Sequence, residues 1–484
     1  MPLCFAPFGA WWLAPLLLAA WWLWSMGNLP RTAAADGFCF GLGMFGVGIS
    51  WVYNSLHDFG DAHPFVAGFI TVALILTMAA YFAAFSALAA YLRKRIYDAR
   101  LYWLVAIPVL WLLTEWLRSY VLTGFPWLLM GYGQAESPLG AFLPVIGVFG
   151  CGALVALCAA SIALWVSTPN YWSAALISLG GLLLLTFALQ DVQWTQLQNS
   201  TKRVALVQGN LGQEIKLGAQ GLPISQQRYA ELSATVGDVD ILLWPETALP
   251  AFQETVQPYL QTIQTNLHTL PRHGHLLTGI FFYERSTGVY YNSLLVVDTK
   301  QAYHKQRLVP FGEYMPLRGL LAFMNRFVQI PMSDIDNGPA QQSPLLVGDV
   351  DVGVTICYES AYDEVYREQL PKADFLVNVS NDAWFGDSLA PYQHLQIAQT
   401  RARESGRYLL RATNTGITAM ITPQGAVTSR LASFQAGVLI VDVPLLMGAT
   451  PYVRLGHYLL LFCVIAALVG GFYYQRFCGR AAKQ

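Results

Sequence analysis

Seven long apolar stretches constrain this chain more than any other feature of its sequence. They lie at residues 9–26, 33–53, 64–91, 101–118, 141–166, 171–190 and 456–475. Each is close to the length of about 20 residues that a helix needs to cross a bilayer. We therefore predict a polytopic α-helical membrane domain of about six spans at residues 1–190, and a C-terminal transmembrane helix with a cytoplasmic tail at 456–484.

Residues 191–455, between the sixth and seventh stretches, have the mixed composition of a globular domain. Only 12% of the 484 residues are charged, against about 25% in soluble domains, and most of these charges fall in this stretch. Strands alternating with helices predict an α/β domain. The predicted strands are 202–210, 240–244, 275–283, 290–298, 352–357, 374–380, 416–422 and 437–443, and the predicted helices are 224–236, 252–268 and 391–408.

Lysines and arginines in the short loops predict how the chain is oriented, because cytoplasmic loops carry the excess of positive charge. Arg31, the cluster at 93–100 and the basic residues beyond 475 all fall on one side, which should be the cytoplasm. Residues 191–455 then face outward, as does the N-terminus, which suggests that a further helix precedes this start. The net charge of −1 and the lack of a basic stripe exclude a nucleic-acid partner.

Cys357 is the one cysteine of seven that lies in the polar domain. It follows the apolar run Val352–Ile356, which predicts a strand, and precedes helix-compatible residues. A thiol at such a turn is well placed to act as a nucleophile. The alternative is an inert packing residue, since free cysteines are among the most buried residue types.

Two further strand ends carry charged residues that complement this thiol. Glu246 follows the run Leu243-Trp244-Pro245, and Lys305 follows Tyr303-His304. A carboxylate can take the thiol proton, and a lysine ammonium can stabilise the oxyanion that forms when a thiolate attacks a carbonyl. Each charge alone would be an ordinary solvated loop residue, but the three together form a chemically complete set.

Other patterns carry weaker signals. The glycine pattern at 41–46 matches a dinucleotide-binding motif but lies in an apolar span, which favours close helix packing. Glu115 and Arg118 predict either a structural ion pair or an anchor for the outer domain or a lipid headgroup. His268, His273 and His275 lack a metal-binding spacing, so we interpret them as solvated.

Eight short segments together resemble the carbon–nitrogen hydrolase (nitrilase) superfamily, and within it the membrane-bound apolipoprotein N-acyltransferase family. The resemblance runs through nearly the whole chain. The segments are Cys4–Gly9, Thr123–Trp127, Val207–Asn210, Trp244–Glu246, Val309–Glu313, Ile356–Glu359, Val379–Gly386 and Arg411–Gly416. The resemblance implies a nitrilase-like αββα sandwich at 191–455, on the periplasmic side of a bacterial inner membrane.

The same resemblance implies roles for individual residues. Glu246 would be the general base, Lys305 the oxyanion donor and Cys357 the nucleophile. Further residues match the surroundings of the family's active site: Glu313, Tyr358 and Glu359 as supporting groups, and Asn381, Trp384 and Phe385 as substrate-binding residues, the last two in a loop beside a lipid-facing cleft. One departure is Leu217, where relatives commonly carry tryptophan, and another is a family pattern of eight spans.

The implied reaction is N-acylation of the α-amine of the diacylglyceryl-cysteine of apolipoproteins, the last step of lipoprotein maturation. Cys357 would take an acyl chain from a phospholipid, expected to be phosphatidylethanolamine, and pass it from a thioester to the amine in a ping-pong scheme. No metal or organic cofactor is expected. The alternatives are a membrane-tethered amidase or nitrilase, and a non-catalytic receptor or transporter with an outer binding domain.

The apolar run Leu320–Pro331 has two interpretations. It suits a lid or loop that dips into the membrane interface, and it equally suits ordinary core packing, because an amphipathic run alone does not separate the two.

Overall fold

A computed structural model describes residues 1–60, 62–310, 312–314 and 335–481. The chain forms two compact units. The first comprises Met1–Ser50, Phe69–Gln193 and Thr450–Gln484, and the second comprises Trp51–Gly68 and Trp194–Ala449. The predicted boundaries at residues 190 and 455 stay a prediction, and the run Leu320–Pro331 lies outside the described residues.

The first unit is built from apolar helices. Among the described residues, four helices are long and apolar enough to cross a membrane, or five if the bent pair α2 and α3 counts as one span. The helices of this apolar part of the chain are α1 (Leu13–Ser25), α2 (Pro30–Gly48), α3 (Trp51–His57), α4 (Pro64–Arg93), α5 (Ala99–Tyr120), α6 (Pro138–Ser167) and α7 (Pro169–Leu189). Of these, α3 and the first residues of α4 belong to the second unit. Each of the seven predicted spans contains a helix, with the last in Tyr458–Ala481. The number of spans stays a prediction.

Close helix packing at the glycine pattern is confirmed. A Cβ atom built on Gly37 would lie 2.3 Å from the backbone oxygen of Phe82, and one on Gly41 would lie 2.6 Å from Cα of Ala79. Both contacts are with α4. The glycines therefore let the backbones of α2 and α4 approach more closely than any side chain would allow.

Replacing Gly41 by alanine should lower the thermal stability of the first unit, because the added methyl group overlaps the α4 backbone. Gly43 is a matched control on the same helix, since a Cβ atom there meets nothing within 4 Å. We expect Gly41→Ala to lower the Tm in detergent by several degrees and Gly43→Ala to leave it unchanged. Equal Tm values for the two variants would contradict this packing.

Glu115 and Arg118 form the predicted structural ion pair, at 3.5 Å, with both side chains fully buried. Arg118 also donates hydrogen bonds to the carbonyl oxygens of Trp127 (2.8 Å) and Leu128 (2.9 Å). The carboxylate of Glu115 accepts one from the backbone N–H of Met130 at 2.7 Å. The pair therefore holds the segment after α5 in place. This is the predicted structural role, as opposed to an anchor for the outer domain or a lipid headgroup.

The second unit contains two six-stranded sheets and the helices that cover them. Sheet one has the order β12-β1-β2-β3-β4-β5 and sheet two the order β11-β10-β9-β8-β7-β6. The strands are β1 (Thr195–Gln208), β2 (Ile241–Leu243), β3 (His275–Glu284), β4 (Val289–Val296), β5 (Ala302–His304), β6 (Leu345–Val347), β7 (Val350–Ile356), β8 (Phe375–Ser380), β9 (Leu409–Thr413), β10 (Ala419–Ile421), β11 (Val427–Arg430) and β12 (Gly437–Gly448).

Helices lie between the strands of the second unit along the chain. They are α8 (Gln213–Leu217), α9 (Gly221–Ala234), α10 (Gln253–His268), α11 (Asp363–Arg367) and α12 (Ala390–Ser405). On sheet one, Tyr229 of α9 and Leu260 of α10 join the same buried cluster as Leu242 and Leu276. The sheets meet through inner residues such as Thr413 of β9, which donates to Gln208 of β1 at 3.3 Å. The predicted α/β sandwich with two sheets is confirmed.

Parallel pairing at the centre of each sheet explains the apolar runs. In sheet one β2 pairs in parallel with β1 and β3, and in sheet two β8 pairs in parallel with β7 and β9. Parallel strands are covered on both faces, so they read as continuous apolar sequence. Their carboxyl ends meet at one edge of each sheet, where loops can carry polar groups without disturbing the core.

Candidate active site

The three residues predicted to perform chemistry all follow strands directly. Glu246 lies just past β2, Lys305 is the residue after β5, and Cys357 is the residue after β7. The first two come from sheet one and the third from sheet two. All three side chains are buried, with exposed fractions of 4%, 1% and 6%.

The backbone of Cys357 adopts a left-handed conformation, with φ at +53°. A residue with a side chain rarely occupies this region, and such strain occurs chiefly at functional sites. Glu359, two residues on, fastens the turn: its carboxylate accepts from the N–H of Ile356 (2.7 Å), Gln306 (2.5 Å) and Arg307 (3.1 Å). The same carboxylate therefore links the cysteine turn to the chain that follows Lys305.

Burial raises the pKa of Glu359 to about 7, and these three backbone hydrogen bonds oppose that increase because they favour the charged form. Tyr303 lies on the other side of this carboxylate, with its hydroxyl 3.2 Å from one oxygen. Glu359 therefore accepts hydrogen bonds from structural partners in two loops.

Lys305 lies between two carboxylates. Its ammonium is 3.1 Å from Glu246 and 2.7 Å from Glu313. Burial alone would lower the pKa of Lys305, but Glu246 and Glu313 raise it well above its usual value, so the ammonium keeps its charge. Glu246 also accepts from the Asn292 amide and from the backbone N–H of Asn381, each at 2.7 Å.

The thiol of Cys357 is held in its protonated form. Burial raises its pKa above the ordinary value, the charge of Glu246 adds to the increase, and Lys305 opposes it. The thiolate is the nucleophilic form of cysteine. This arrangement can therefore attack a carbonyl only if a neighbouring base removes the proton.

A second buried network supports the cysteine turn from behind. His394 of α12 contacts the Cys357 carbonyl oxygen and the Ser360 hydroxyl, both at 3.0 Å, through Nε2. Its Nδ1 lies 2.9 Å from Arg411 of β9, whose guanidinium pairs with Asp382 at 2.8 Å. Because Arg411 can only donate, Nδ1 accepts and Nε2 carries the proton that bonds the turn.

The charge states of this network agree with that assignment. Burial lowers the pKa of His394, and the neighbouring Arg411 adds to the decrease, so the ring is neutral. Burial alone would raise the pKa of Asp382, but Arg411 holds it well below the usual range. Sequence reasoning did not assign roles to His394 or Arg411; the available signal was a charged residue inside the apolar run Leu409–Thr413.

Tyr358 and Asn381 are buried near the triad. The hydroxyl of Tyr358 accepts from that of Tyr362 at 3.2 Å. The side-chain amide of Asn381 donates to Gln213 and its oxygen accepts from Asn414, each at 3.0 Å. Asn381 therefore links the segments of Gln213 and Asn414 to Glu246, which accepts a hydrogen bond from its backbone N–H. Substrate binding by Asn381 stays a prediction.

Trp384 and Phe385 are half-buried in a short turn after β8. The ring of Phe385 packs edge-on against Trp51, with centroids 5.0 Å apart, and Trp51 donates to Gln393 of α12 at 3.2 Å. The residues around Trp51 belong to the same compact unit as this turn. Substrate binding by Trp384 and Phe385 stays a prediction.

Helix α8 presents a further residue that the sequence did not single out. Leu217 is 48% exposed, whereas Lys216 beside it is only 3% exposed. Burial lowers the pKa of Lys216 to about 8, and the charge of Glu246 opposes the decrease. A lysine inside a protein is rare, because charged groups are seldom fully buried without a partner.

The structure brings two of the three histidines, His268 at the end of α10 and His275 at the start of β3, next to an aspartate. Ligand atoms of His268, His275 and Asp298 lie within 4.8 Å of one another, while His273 contacts the His268 carbonyl oxygen. Nδ1 of His275 and a carboxylate oxygen of Asp298 are 2.6 Å apart. Two ligands of one tetrahedral zinc ion are separated by about 3.3 Å, so these two are spaced as hydrogen-bond partners. Among the described residues, no such cluster of three or more potential metal ligands lies near Cys357.

The two sheets and the buried residues at their strand ends define a carbon–nitrogen hydrolase domain. The family profile named Carbon-nitrogen hydrolase matches residues 192–452. A carbon–nitrogen hydrolase structure from Helicobacter pylori aligns with 54% of this chain and 94% of its own, with a TM-score of 0.37 and 12% identity.

The rest of the chain narrows this class. The profile of the apolipoprotein N-acyltransferase N-terminal domain matches residues 1–161. Apolipoprotein N-acyltransferase from Nitrosomonas europaea is 42% identical over 457 residues, covering 93% of this chain and 90% of that protein. The one from Azotobacter vinelandii is 41% identical over 466 residues, covering 94% and 89%. The chain therefore belongs to the apolipoprotein N-acyltransferase family. Its apolar helices fit a bacterial membrane protein.

Proposed function

We propose that this protein transfers an acyl chain from a membrane phospholipid to the α-amine of the diacylglyceryl-cysteine of apolipoproteins, through a thioester on Cys357. The observation that carries the proposal is the buried arrangement of Lys305 between Glu246 and Glu313, with a strained cysteine turn in the same unit. The names of relatives that span most of the chain support the choice of reaction.

In the first half-reaction Glu246 accepts the thiol proton, and the thiolate of Cys357 attacks the ester carbonyl of the donor. The ammonium of Lys305 stabilises the oxyanion of the tetrahedral intermediate. The carbon–oxygen ester bond then breaks, and the leaving alkoxide takes the proton from Glu246. The products are a thioester and a lysophospholipid. We propose phosphatidylethanolamine as the donor.

In the second half-reaction the acceptor amine attacks the thioester carbonyl. Glu246 takes a proton from the amine, the carbon–sulfur bond breaks, and the leaving thiolate recovers the proton. The amide product is released and Cys357 returns to its thiol form. One nucleophile that serves two substrates in turn gives ping-pong kinetics.

The surrounding residues have supporting roles in this proposal. Glu359 holds the cysteine turn and the loop after Lys305 through three backbone hydrogen bonds. Glu313 orients the Lys305 ammonium, and Tyr358 lines the turn. We further propose that Trp384 and Phe385 contact the lipid chains, that Asn381 lies close to the donor, and that the catalytic domain (191–455) lies on the periplasmic side of the inner membrane.

Intact-mass measurement on purified protein mixed with phosphatidylethanolamine, without an acceptor, tests this function. We expect the mass to increase by one acyl chain, and hydroxylamine to reverse the increase because it cleaves thioesters. Cys357→Ala should show no increase, while Cys463→Ala, at an exposed cysteine, should behave as the wild type. An unmodified but folded wild type would contradict phosphatidylethanolamine as the donor. Release of free fatty acid without an acceptor would instead favour the hydrolase alternative.

A further inference from the structure

Lys216 is a buried cation for which the reaction above has no role. The side chain is 3% exposed, and its ammonium has no hydrogen-bond partner among the described residues. Removing an ammonium group from water without acceptors is unfavourable. A buried polar group left in this state in a folded protein calls for an explanation, and function is a common one.

The position of helix α8 connects Lys216 to the active site. Gln213, three residues earlier, accepts a hydrogen bond from the side chain of Asn381 at 3.0 Å. The backbone N–H of Asn381 donates to Glu246 at 2.7 Å. On the other side, a Cβ atom on Gly221 would lie 2.1 Å from the Lys216 carbonyl oxygen, so the chain is tightly packed there. Helix α8 is therefore linked to Glu246 through Asn381, which bonds both Gln213 and Glu246.

Charged groups reach Glu246 from several elements. Lys305 comes from the end of β5, Glu313 from the segment after it, and the Cys357 thiol from the end of β7. Lys216 comes from α8 and attracts Glu246 electrostatically. The other described contacts are neutral amides, from Asn292 on β4 and from Asn381 after β8.

The balance of these charges depends on Lys216. Without it, two buried carboxylates share the single ammonium of Lys305, which leaves one uncompensated negative charge. An uncompensated charge inside a protein is unfavourable. With the Lys216 ammonium the described groups are neutral overall. The net charge of these groups does not change when Glu246 takes the thiol proton, because Glu246 becomes neutral and the sulfur becomes negative.

We propose that Lys216 is a positioning residue for acyl transfer, whose ammonium balances the charge of the second carboxylate of the site while Glu246 accepts the thiol proton. This inference rests on the proposed function, because it takes Glu246 as the base. Lys216 acts on Glu246 through its charge and touches neither the sulfur nor the acyl group.

The pH dependence follows from the charge of Lys216. Burial lowers its pKa to about 8, so the ammonium is present below that pH and is lost above it. Thioester formation by the wild type should therefore decline as the pH rises through about 8.

The test compares Lys216→Met, Lys216→Arg and the wild type in single-turnover thioester formation from phosphatidylethanolamine between pH 5 and 10. Lys216→Met should slow the reaction about tenfold below pH 8 and approach the wild-type rate above it, because the wild type loses its own ammonium there. Lys216→Arg should react like the wild type at pH 7 and remain active above pH 8, because arginine keeps its charge. Lys372→Met, at a largely exposed lysine, is the matched control and should leave the profile unchanged.

A purely structural role for Lys216 gives a different result. Lys216→Met would then lose the same factor at every pH, together with a lower Tm, and this outcome would overturn the inference. If Lys216→Met does not fold, Lys216→Arg decides, since an alkaline limb at the wild-type pH contradicts the proposed charge effect. A wild type that forms no thioester overturns the proposed function as well, whereas normal wild-type chemistry with unchanged Lys216 variants overturns this inference alone.

Discussion

Glu246→Gln is expected to slow thioester formation about 1,000-fold or more, within the range that a positioned general base contributes. The effect should be large because burial raises the pKa of the Cys357 thiol, so little thiolate forms without a base. Glutamine has the same shape and keeps one oxygen, which can still accept from Asn292 and Lys305, whereas its NH2 group replaces the oxygen that accepts from the backbone N–H of Asn381. A Tm equal to that of the wild type shows that the fold tolerates this loss. Single-turnover mass spectrometry with phosphatidylethanolamine measures the rate.

The matched control is Glu254→Gln, at a carboxylate that pairs with Arg285 on the surface. It makes the same chemical change away from the site and should react at the wild-type rate. Alkylation by iodoacetamide supplies a second readout without lipid: Cys357 should react more slowly in Glu246→Gln than in the wild type. A Glu246→Gln variant that forms the thioester at the normal rate would show that another group is the base.

Lys305→Met is expected to reduce both activity and stability. Removing an oxyanion donor typically costs about 100-fold to 1,000-fold in kcat. Removing one partner of a buried ion pair also destabilises the fold, by about 3–5 kcal/mol, because Glu246 and Glu313 lose the ammonium that they share. Denaturation midpoints and single-turnover rates measured on the same preparation separate the two effects.

A double variant distinguishes the two roles of Lys305. Lys305→Met combined with Glu313→Gln removes one cation and one anion together, so much of the stability should return while activity stays low. Lys202→Met is the matched control, because its partner Asp349 is 75% exposed and surface ion pairs contribute little. Recovery of normal activity in the double variant would contradict a role for Lys305 in stabilising the oxyanion.

The pattern of apolar residues predicts most of this fold. Apolar runs that lie inside the sheets became strands close to their predicted positions, such as 352–357 for β7 (Val350–Ile356), and the predicted helix 252–268 became α10 (Gln253–His268). The central strand β9 (Leu409–Thr413) was missed, because Arg411 interrupts its apolar run. Its guanidinium is buried because Asn378, Asp382 and His394, all distant in sequence, bind it. Local patterns carry no information about such partners.

The sequence singled out Glu246, Lys305 and Cys357 individually, but it did not show which side chains contact one another in the folded site. Glu246, Lys305 and Cys357 each follow a strand, and residues at strand ends are free of the packing constraints of the core, so their types could be read as chemistry. Which charged groups contact one another depends on the pairing of strands that are distant in sequence, as with Lys305 and Glu246, which are 59 residues apart. The family resemblance suggested that Glu313 orients Lys305, and the two are in contact, whereas only the structure showed that Lys216 is buried.

The sequence by itself determined that this chain has apolar helices and an α/β domain, and that a glutamate, a lysine and a cysteine follow strands of that domain in this order. These properties follow from local composition, periodicity and short motifs. Only the tertiary structure decided the left-handed backbone of Cys357, the bonds from Glu359 that fasten its turn, and the charge balance around Glu246. These depend on burial and on contacts between distant segments, because the pKa of a group is set by the solvent it loses and the charges it meets.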